Sequence, residues 1–290
     1  MNSPADHVLL TRFNLPSRGA ESRIRARDGW LQTRLGLFES YCLPSVRGQS
    51  NQNFHWIIYF DPQSPAWLRE RIAELNQDSV FTPIFRAEVS SAELLQDLRA
   101  VTGARHNDLL TTNLDNDDGL GSDFVERLQA AGHQGTRTAI YLVNGLIRCG
   151  GGLYVRTDRA NAFCSVREDW SGARTCWSDW HNLLGRSMGV REISGDPAWL
   201  QLVHDSNVSN RIRGRRVSPD PYRGTFGGLL DGVPDLSALE ELKDLVVGRP
   251  HRFVKEAGRS TLKKLALNVL GKEGLDQLKS GWALRPVHRR

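Results

Sequence analysis

The chain of 290 residues has only four cysteines, Cys42, Cys149, Cys164 and Cys176, with no CxxC pair, so neither a zinc site nor a disulfide framework is indicated. It has no apolar run near the ~18 residues that a membrane span needs. The start, MNSPADHVLL, lacks the basic and apolar regions of a secretion signal, and the expected compartment is the cytoplasm. A GxxxxGK[ST] phosphate loop is absent, as is an evident catalytic-lysine motif. Positive charge is scarce in the first 210 residues, which carry 21 Lys/Arg against 24 Asp/Glu, whereas residues 211–290 carry 17 against 9. The basic character therefore belongs to the tail. A continuous phosphate track is excluded, and no nucleic-acid partner is expected.

What is present is a hydrophobic fraction of 39% with eight Trp, enough for a sizeable core. The most informative stretch is Leu109-Leu110-Thr111-Thr112-Asn113-Leu114-Asp115-Asn116-Asp117-Asp118-Gly119. An apolar, β-prone run opens into a turn with three carboxylates, at the strand end where open α/β sheets place ligands. Carboxylates this close repel by several kcal/mol at low effective dielectric, and a hard cation, Mg²⁺ or Mn²⁺, relieves that cost while keeping positions open for phosphate oxygens.

Around it, the pattern alternates. Strands are expected at His7–Phe13, Phe54–Asp61 and Val80–Phe85, with helices at Trp30–Tyr41 (stopped by Pro44), Pro65–Leu75 and Ala92–Ala100. This predicts a parallel, doubly wound sheet in the first half. Beyond the acids, Ser122 is a candidate N-cap for a helix starting at Asp123. Thr138–Arg148 and Gly152–Arg156 are β-rich and separated by Cys149-Gly150-Gly151, a hairpin signal. Further strands are expected at Ala162–Val166, Arg174–Trp177 and Trp199–His204, with helices from about Trp180 to Met188 and near Leu236–Val247, the last as packing material. The expected organisation is a domain over 1–215, with a nucleotide-binding half (1–120) and a mixed β half (121–215), followed by a basic, partly helical extension over 216–290. In that extension Leu262, Leu265, Ala266 and Val269 share one helical face, suited either to docking on the core or to peripheral contact with an anionic membrane.

The stretches HVLLTRF, FESYCLPSVRGQSNQNFHWIIYFD, LDNDDGL with FVERL, NAFCSVRE and WLQLVHDSNVSNRIRG together resemble GT-A glycosyltransferases, in particular the bacterial family described as putative rhamnosyl transferases. The resemblance implies a GT-A-like mixed α/β sheet and transfer of a sugar, such as rhamnose, from a nucleotide-sugar donor to a glycan or lipid-linked acceptor. It puts the metal motif on Asp115 and Asp117, adds His204 as a further ligand or diphosphate contact, and assigns Asn116 and Asp118 to the donor nucleotide. Thr11, Arg12, Phe13 and Asp61 fall where the base and ribose are held, and Arg211, with its basic neighbours, beside the diphosphate. Glu168-Asp169 looks like the Glu-Asp pair that often supplies the catalytic base; Asp179 and His181 compete for that role. A Mg²⁺-dependent nucleotidyl or phosphoryl transferase using the same carboxylates is the alternative.

Overall fold

The computed structural model describes residues 4–16, 29–132, 135–204 and 211–252. The helical face expected over 262–269 lies outside these residues. Strands β1 (Ala5–Arg12), β2 (His55–Phe60), β3 (Thr82–Phe85) and β4 (Asp108–Asn113) form the parallel half of a seven-stranded sheet. The inner positions of β1, β2 and β4 are buried on both faces, which is why they read as near-continuous apolar runs, whereas edge strand β3 is only half-buried. After β5 (Gly119–Leu120) come β6 (Thr138–Leu142), β7 (Asn144–Cys149), β8 (Gly152–Thr157), β9 (Ser165–Asp169), β10 (Gly189–Ile193), β11 (Trp199–Val203) and β12 (Arg215–Arg216). The large sheet has the order β10-β6-β9-β4-β1-β2-β3, with β9 antiparallel to β4 and β6; the smaller has the order β12-β8-β7-β11-β5. The fold is thus mixed α/β, with the expected parallel half and a more irregular second half.

Local chemistry explains the elements. The helix Ser91–Thr102 starts at a capping box of Ser90 and Glu93 and ends at Gly103 with φ 72°. The β7–β8 hairpin turns at Gly150-Gly151, as the sequence suggests. Between β6 and β7 the chain leaves the large sheet for the small one at Val143, so the single β stretch expected there is two strands. Trp199 crosses β7 at Gly145, where an added Cβ would lie 2.0 Å from the indole. Glycine is needed there for close approach.

Four expectations are corrected. Pro44 does not stop the first helix: Trp30–Leu37 runs through a π turn, Phe38–Cys42, into Leu43–Arg47. The wider turn, closed by Leu43 N–H to the Phe38 carbonyl, accommodates the prolyl ring and its missing N–H. Ser122 does not cap the helix Phe124–Ala130; Gln49, distant in sequence, accepts the Val125 N–H at 3.0 Å. Residues 174–177 form no strand, because Thr175 adopts φ 69°. The helix expected over 180–188 is reduced to a 3₁₀ turn, Leu184–Arg186.

The expected boundary at 215 falls within β12, and Val217, Phe226, Leu229, Leu230 and Val233 share a core cluster with Leu146, Leu153, Leu200 and Leu202. Ala238–Lys243 buries none of its residues and is not the packing material expected of it. No helix among the described residues is long and apolar enough to cross a membrane.

Candidate active site

β1 and β4 are parallel neighbours, so their C-terminal ends emerge side by side and the acidic turn folds over the end of β1. Three contacts pin it there. Thr11 Oγ1 donates to the Leu114 carbonyl at 2.8 Å and accepts from Trp56 Nε1; Asn116 Nδ2 donates to the carbonyls of Arg12 and Phe13 at 3.0 and 2.6 Å. Thr11, Asn116 and Phe13 are buried, with Phe13 packed against Phe38 and Phe60. These residues shape the turn from behind. Asp61, at the end of β2, accepts the Gln63 N–H at its own turn.

The three carboxylates have different surroundings. Asp115 is open to a cleft of about 730 Å³, yet burial of its carboxyl among protein atoms and the nearby Asp117 charge raise its pKa. Asp117 is buried and accepts from Arg34 Nη1 at 2.6 Å and His204 Nε2 at 2.9 Å. Burial pushes its pKa up, but the His204 hydrogen bond and the Arg34 charge outweigh this and hold it below the usual range. Asp118 is deepest: its Oδ1 accepts the Leu202 N–H at 2.9 Å, while its buried Oδ2 has no partner. Burial, then the charges of Asp117 and Asp115, raise its pKa well above the carboxylate range. The turn therefore carries more acid than its cations balance.

Asp115 shares the cleft with Arg12, Arg156, Arg211 and Arg213, and with the loop Asp179-Trp180-His181. Arg12 lies 3.8 Å above the Trp177 ring, whose Nε1 donates to Asn113 Oδ1 at 2.8 Å. A guanidinium is thus held at the mouth of the carboxylate turn. His181 Nδ1 lies 2.6 Å from the Ala160 carbonyl. Since a carbonyl only accepts, Nδ1 carries the proton, and in the neutral ring Nε2 keeps the lone pair of a base. Asp179 is exposed and accepts the Trp180 N–H; Trp180 is 73% exposed, an unusual position for so large an apolar ring.

Glu168 and Asp169 are not brought to this site. β9 runs antiparallel to β4, pairing Glu168 with Leu109 and Asp169 with Asp108, at the strand end opposite the acidic turn. Six residues separate Leu109 from Asp115, or roughly 20 Å at the strand rise. Glu168 is 1% exposed and accepts from Arg137 Nε at 2.5 Å and from the N–H groups of Arg174 and Thr175. It holds the left-handed Thr175 in place. Arg34, Trp177 and Trp180 belong to the site and are not evident in the sequence. Arg34 is 83 residues from Asp117, and only the tertiary fold joins them.

The donor set can be tested against a divalent cation. No group of three His, Cys, Asp or Glu poised to hold a metal occurs among the described residues. One or two carboxylates plus substrate phosphates are nevertheless a common arrangement for Mg²⁺. Asp115, open to the cleft, and Asp117, once released by Arg34, fit that arrangement, and behind them the buried Asp118 Oδ2 has no hydrogen-bond partner.

The family model described as putative rhamnosyl transferase matches residues 6–216, most of the described chain. The chain belongs to that family. No curated protein matches it. Among solved structures it is similar to residues 1–349 of Staphylococcus aureus TarS in complex with UDP, at 10% identity and TM-score 0.40 over 81% of this chain and 68% of that one. It is also similar to a protein from Desulfovibrio desulfuricans described as a putative nucleotide-diphospho-sugar transferase, at 11% identity and TM-score 0.34 over 67% and 82%. A third is the inositol-1-phosphate CTP transferase of Thermotoga maritima, at 11% identity and TM-score 0.37 over 80% and 99%.

Proposed function

We propose that this protein transfers a sugar, rhamnose being the candidate from the family, from a nucleoside-diphosphate donor to a hydroxyl of a glycan or lipid-linked acceptor. The observation that carries the reading is the meeting, in one cleft, of Asp115 with Arg12, Arg211 and His181. Arginines match diphosphate oxygens by charge and by bidentate geometry. Asp115 and Asp117, with His204 bonded to Asp117, are the residues that would hold Mn²⁺ or Mg²⁺, which neutralises charge on a leaving diphosphate when bound. His181 Nε2 receives the proton of the acceptor hydroxyl as its oxygen bonds to the anomeric carbon and the bond to diphosphate breaks. Asp179 is the second candidate for that base. Trp180 offers a flat apolar face to the sugar ring of an acceptor.

The test is a screen of nucleotide sugars for hydrolysis and transfer, with Mn²⁺ and with chelator, on the wild type and on Asp115→Asn and His181→Asn. Release of nucleoside diphosphate that needs Asp115, and transfer that needs His181, supports the reading. Recovery of the donor's phosphate on the acceptor would instead establish a nucleotidyl or phosphoryl transferase.

A further inference from the structure

Sugar transfer uses neither of two thiols that the fold brings together. Cys164 and Cys176 are both free and 2% exposed, belong to one core cluster, and both line the cleft. The other two cysteines lie elsewhere, Cys42 in a different core cluster and Cys149 at the end of β7. The C-terminal half of β4 holds the pair. One step beyond the register pair Thr112 and Ser165, Asn113 N–H donates to the Cys164 carbonyl at 2.9 Å. Thr111 Oγ1 accepts the Cys176 N–H at 2.9 Å, and Asn113 Oδ1 accepts Trp177 Nε1 beside it. The two cysteine side chains are hydrogen-bonded to each other.

What surrounds the pair belongs to the cleft. Cys176 is followed by Trp177, which carries Arg12 on its ring, and then by Asp179, Trp180 and His181. Tyr141 shares the core cluster of both cysteines, and its hydroxyl donates to the His181 carbonyl. A metal reading is the weaker one, because no third His, Cys, Asp or Glu joins the two sulfurs among the described residues. A thiol that touches a second thiol is instead suited to oxidation, since the sulfenic acid formed on one condenses with the other. The two sit in the cleft wall rather than on the outer surface, so a hydroperoxide small enough to enter the cleft is the fitting oxidant.

We propose that Cys164 and Cys176 form a reversible disulfide on exposure to hydroperoxide, tying the stretch that carries Trp177, Asp179, Trp180 and His181 to the edge of β9 and slowing sugar transfer. The Cys176 sulfur attacks one peroxide oxygen, the O–O bond breaks, and the leaving hydroxide takes the Cys176 proton as water. The Cys164 sulfur then attacks the sulfenic sulfur; the S–S bond forms, the S–O bond breaks, and the second hydroxide leaves with the Cys164 proton as water. Two electrons pass from the sulfurs to the peroxide. Its hydrogen bond to Cys176, and then burial, push the Cys164 thiol well above its ordinary pKa, which leaves the first attack to Cys176. The effect on transfer rests on the reading given under Proposed function; the linkage does not.

The full-length chain, fully reduced, is treated with a small excess of hydrogen peroxide, alkylated and digested with trypsin. Peptides 160–167 and 175–186 hold one cysteine each. They are recovered as one linked species that dithiothreitol separates. In the linked protein, hydrogen exchange across 175–186 slows, and donor turnover falls about tenfold or more, as displacement of positioning groups in a site does. Both return on reduction. Cys164→Ser and Cys176→Ser give no linked species and no slowing of exchange with peroxide. The proposal is overturned if both thiols of the wild type are recovered alkylated, if either is linked to Cys42 or Cys149, or if the linked protein exchanges and turns over like the reduced one. A reduced chain that hydrolyses no nucleotide sugar defeats the sugar-transfer reading instead, and the linked peptide with its slowed exchange still decides whether the disulfide fixes this stretch.

Discussion

β4 carries carboxylates at both ends, and the two ends treat them in opposite ways. At its N-terminal end Asp108 meets Arg167 at 2.9 Å with both side chains buried, and on the neighbouring strand Glu168 meets Arg137 and two backbone N–H groups. Just past its C-terminal end, Asp118 keeps a buried oxygen without a partner, Asp115 faces the cleft, and Asp117 leans on Arg34 and His204. Burial alone does not separate the two sets. Completeness of pairing does: a fully matched carboxylate serves the fold, whereas an undermatched one stores an affinity for a cation or a proton.

The contrast breaks first at Glu168. Its removal leaves Arg137 Nε and two backbone N–H groups without an acceptor and releases Thr175 from its left-handed conformation. Glu168→Ala is expected to lose about 3–5 kcal/mol of stability by urea unfolding, while the fraction that remains folded still hydrolyses donor. A stable variant with no turnover would reverse the assignment and return Glu168 to the catalytic machinery.

Asp115→Asn probes the other end. It should reduce donor turnover about 100-fold or more, as loss of one preorganised charge at a reacting centre does. Its unfolding midpoint should stay at the wild-type value or rise, since the amide relieves repulsion from Asp117. Loss of stability in parallel with activity would make the two ends alike.

The parallel half of the fold was legible because β1, β2 and β4 are buried on both faces and leave uninterrupted apolar runs. The acidic turn was legible for the same reason: it follows such a run directly. Contacts made across the fold were not. Gln49 caps a helix 75 residues on, a π turn makes room for Pro44, and Arg34 reaches Asp117 from the first helix. The Glu168-Asp169 pair shows a different limit. A strand followed by acids looks the same in sequence whether it runs toward the cleft or away from it, and the antiparallel register of β9 decides the matter.

A third test concerns the sheet that separates the two ends. His7, fully buried on β1, lies 3.0 Å from Thr112 Oγ1 and 3.2 Å from Gln129 Nε2. The glutamine amide donates to Nδ1, so Nε2 carries the proton toward Thr112, which in turn bonds Ser165 Oγ. Burial, aided by the Arg167 charge, lowers the His7 pKa to about 3. With an unfolded value of 6.5, the unfolded chain binds a proton that the native state refuses. Stability contributed by neutral His7 is complete above pH 6.5 and falls as pH drops toward 3, by about 2 kcal/mol at pH 5. His7→Gln, whatever its cost at pH 7, should show a shallower decline between pH 7 and 5. Identical slopes would place the acid sensitivity elsewhere.

The smallest expected effect is at Asp118, and it bears most directly on incomplete pairing. Asp118 Oδ1 has the Leu202 N–H and Oδ2 has nothing, so half of the carboxylate is buried without compensation beside two other acids. An amide of the same shape keeps the acceptor that Leu202 needs and removes the charge. Replacing a paired buried acid costs several kcal/mol, but here an ionised carboxylate was already unfavourable, and that relief offsets the two N–H donors that the amide introduces at the Oδ2 position. Asp118→Asn should therefore shift stability by under about 1 kcal/mol in either direction, in contrast to Glu168→Gln, which loses a charge that Arg137 requires. The pair is compared by urea unfolding at one pH, with donor hydrolysis as the second readout, where Asp118→Asn should fall far less than Asp115→Asn. If Asp118→Asn unfolds the protein as Glu168→Gln does, its charge is matched by a partner that the geometry does not provide, and pairing no longer distinguishes the two ends of β4.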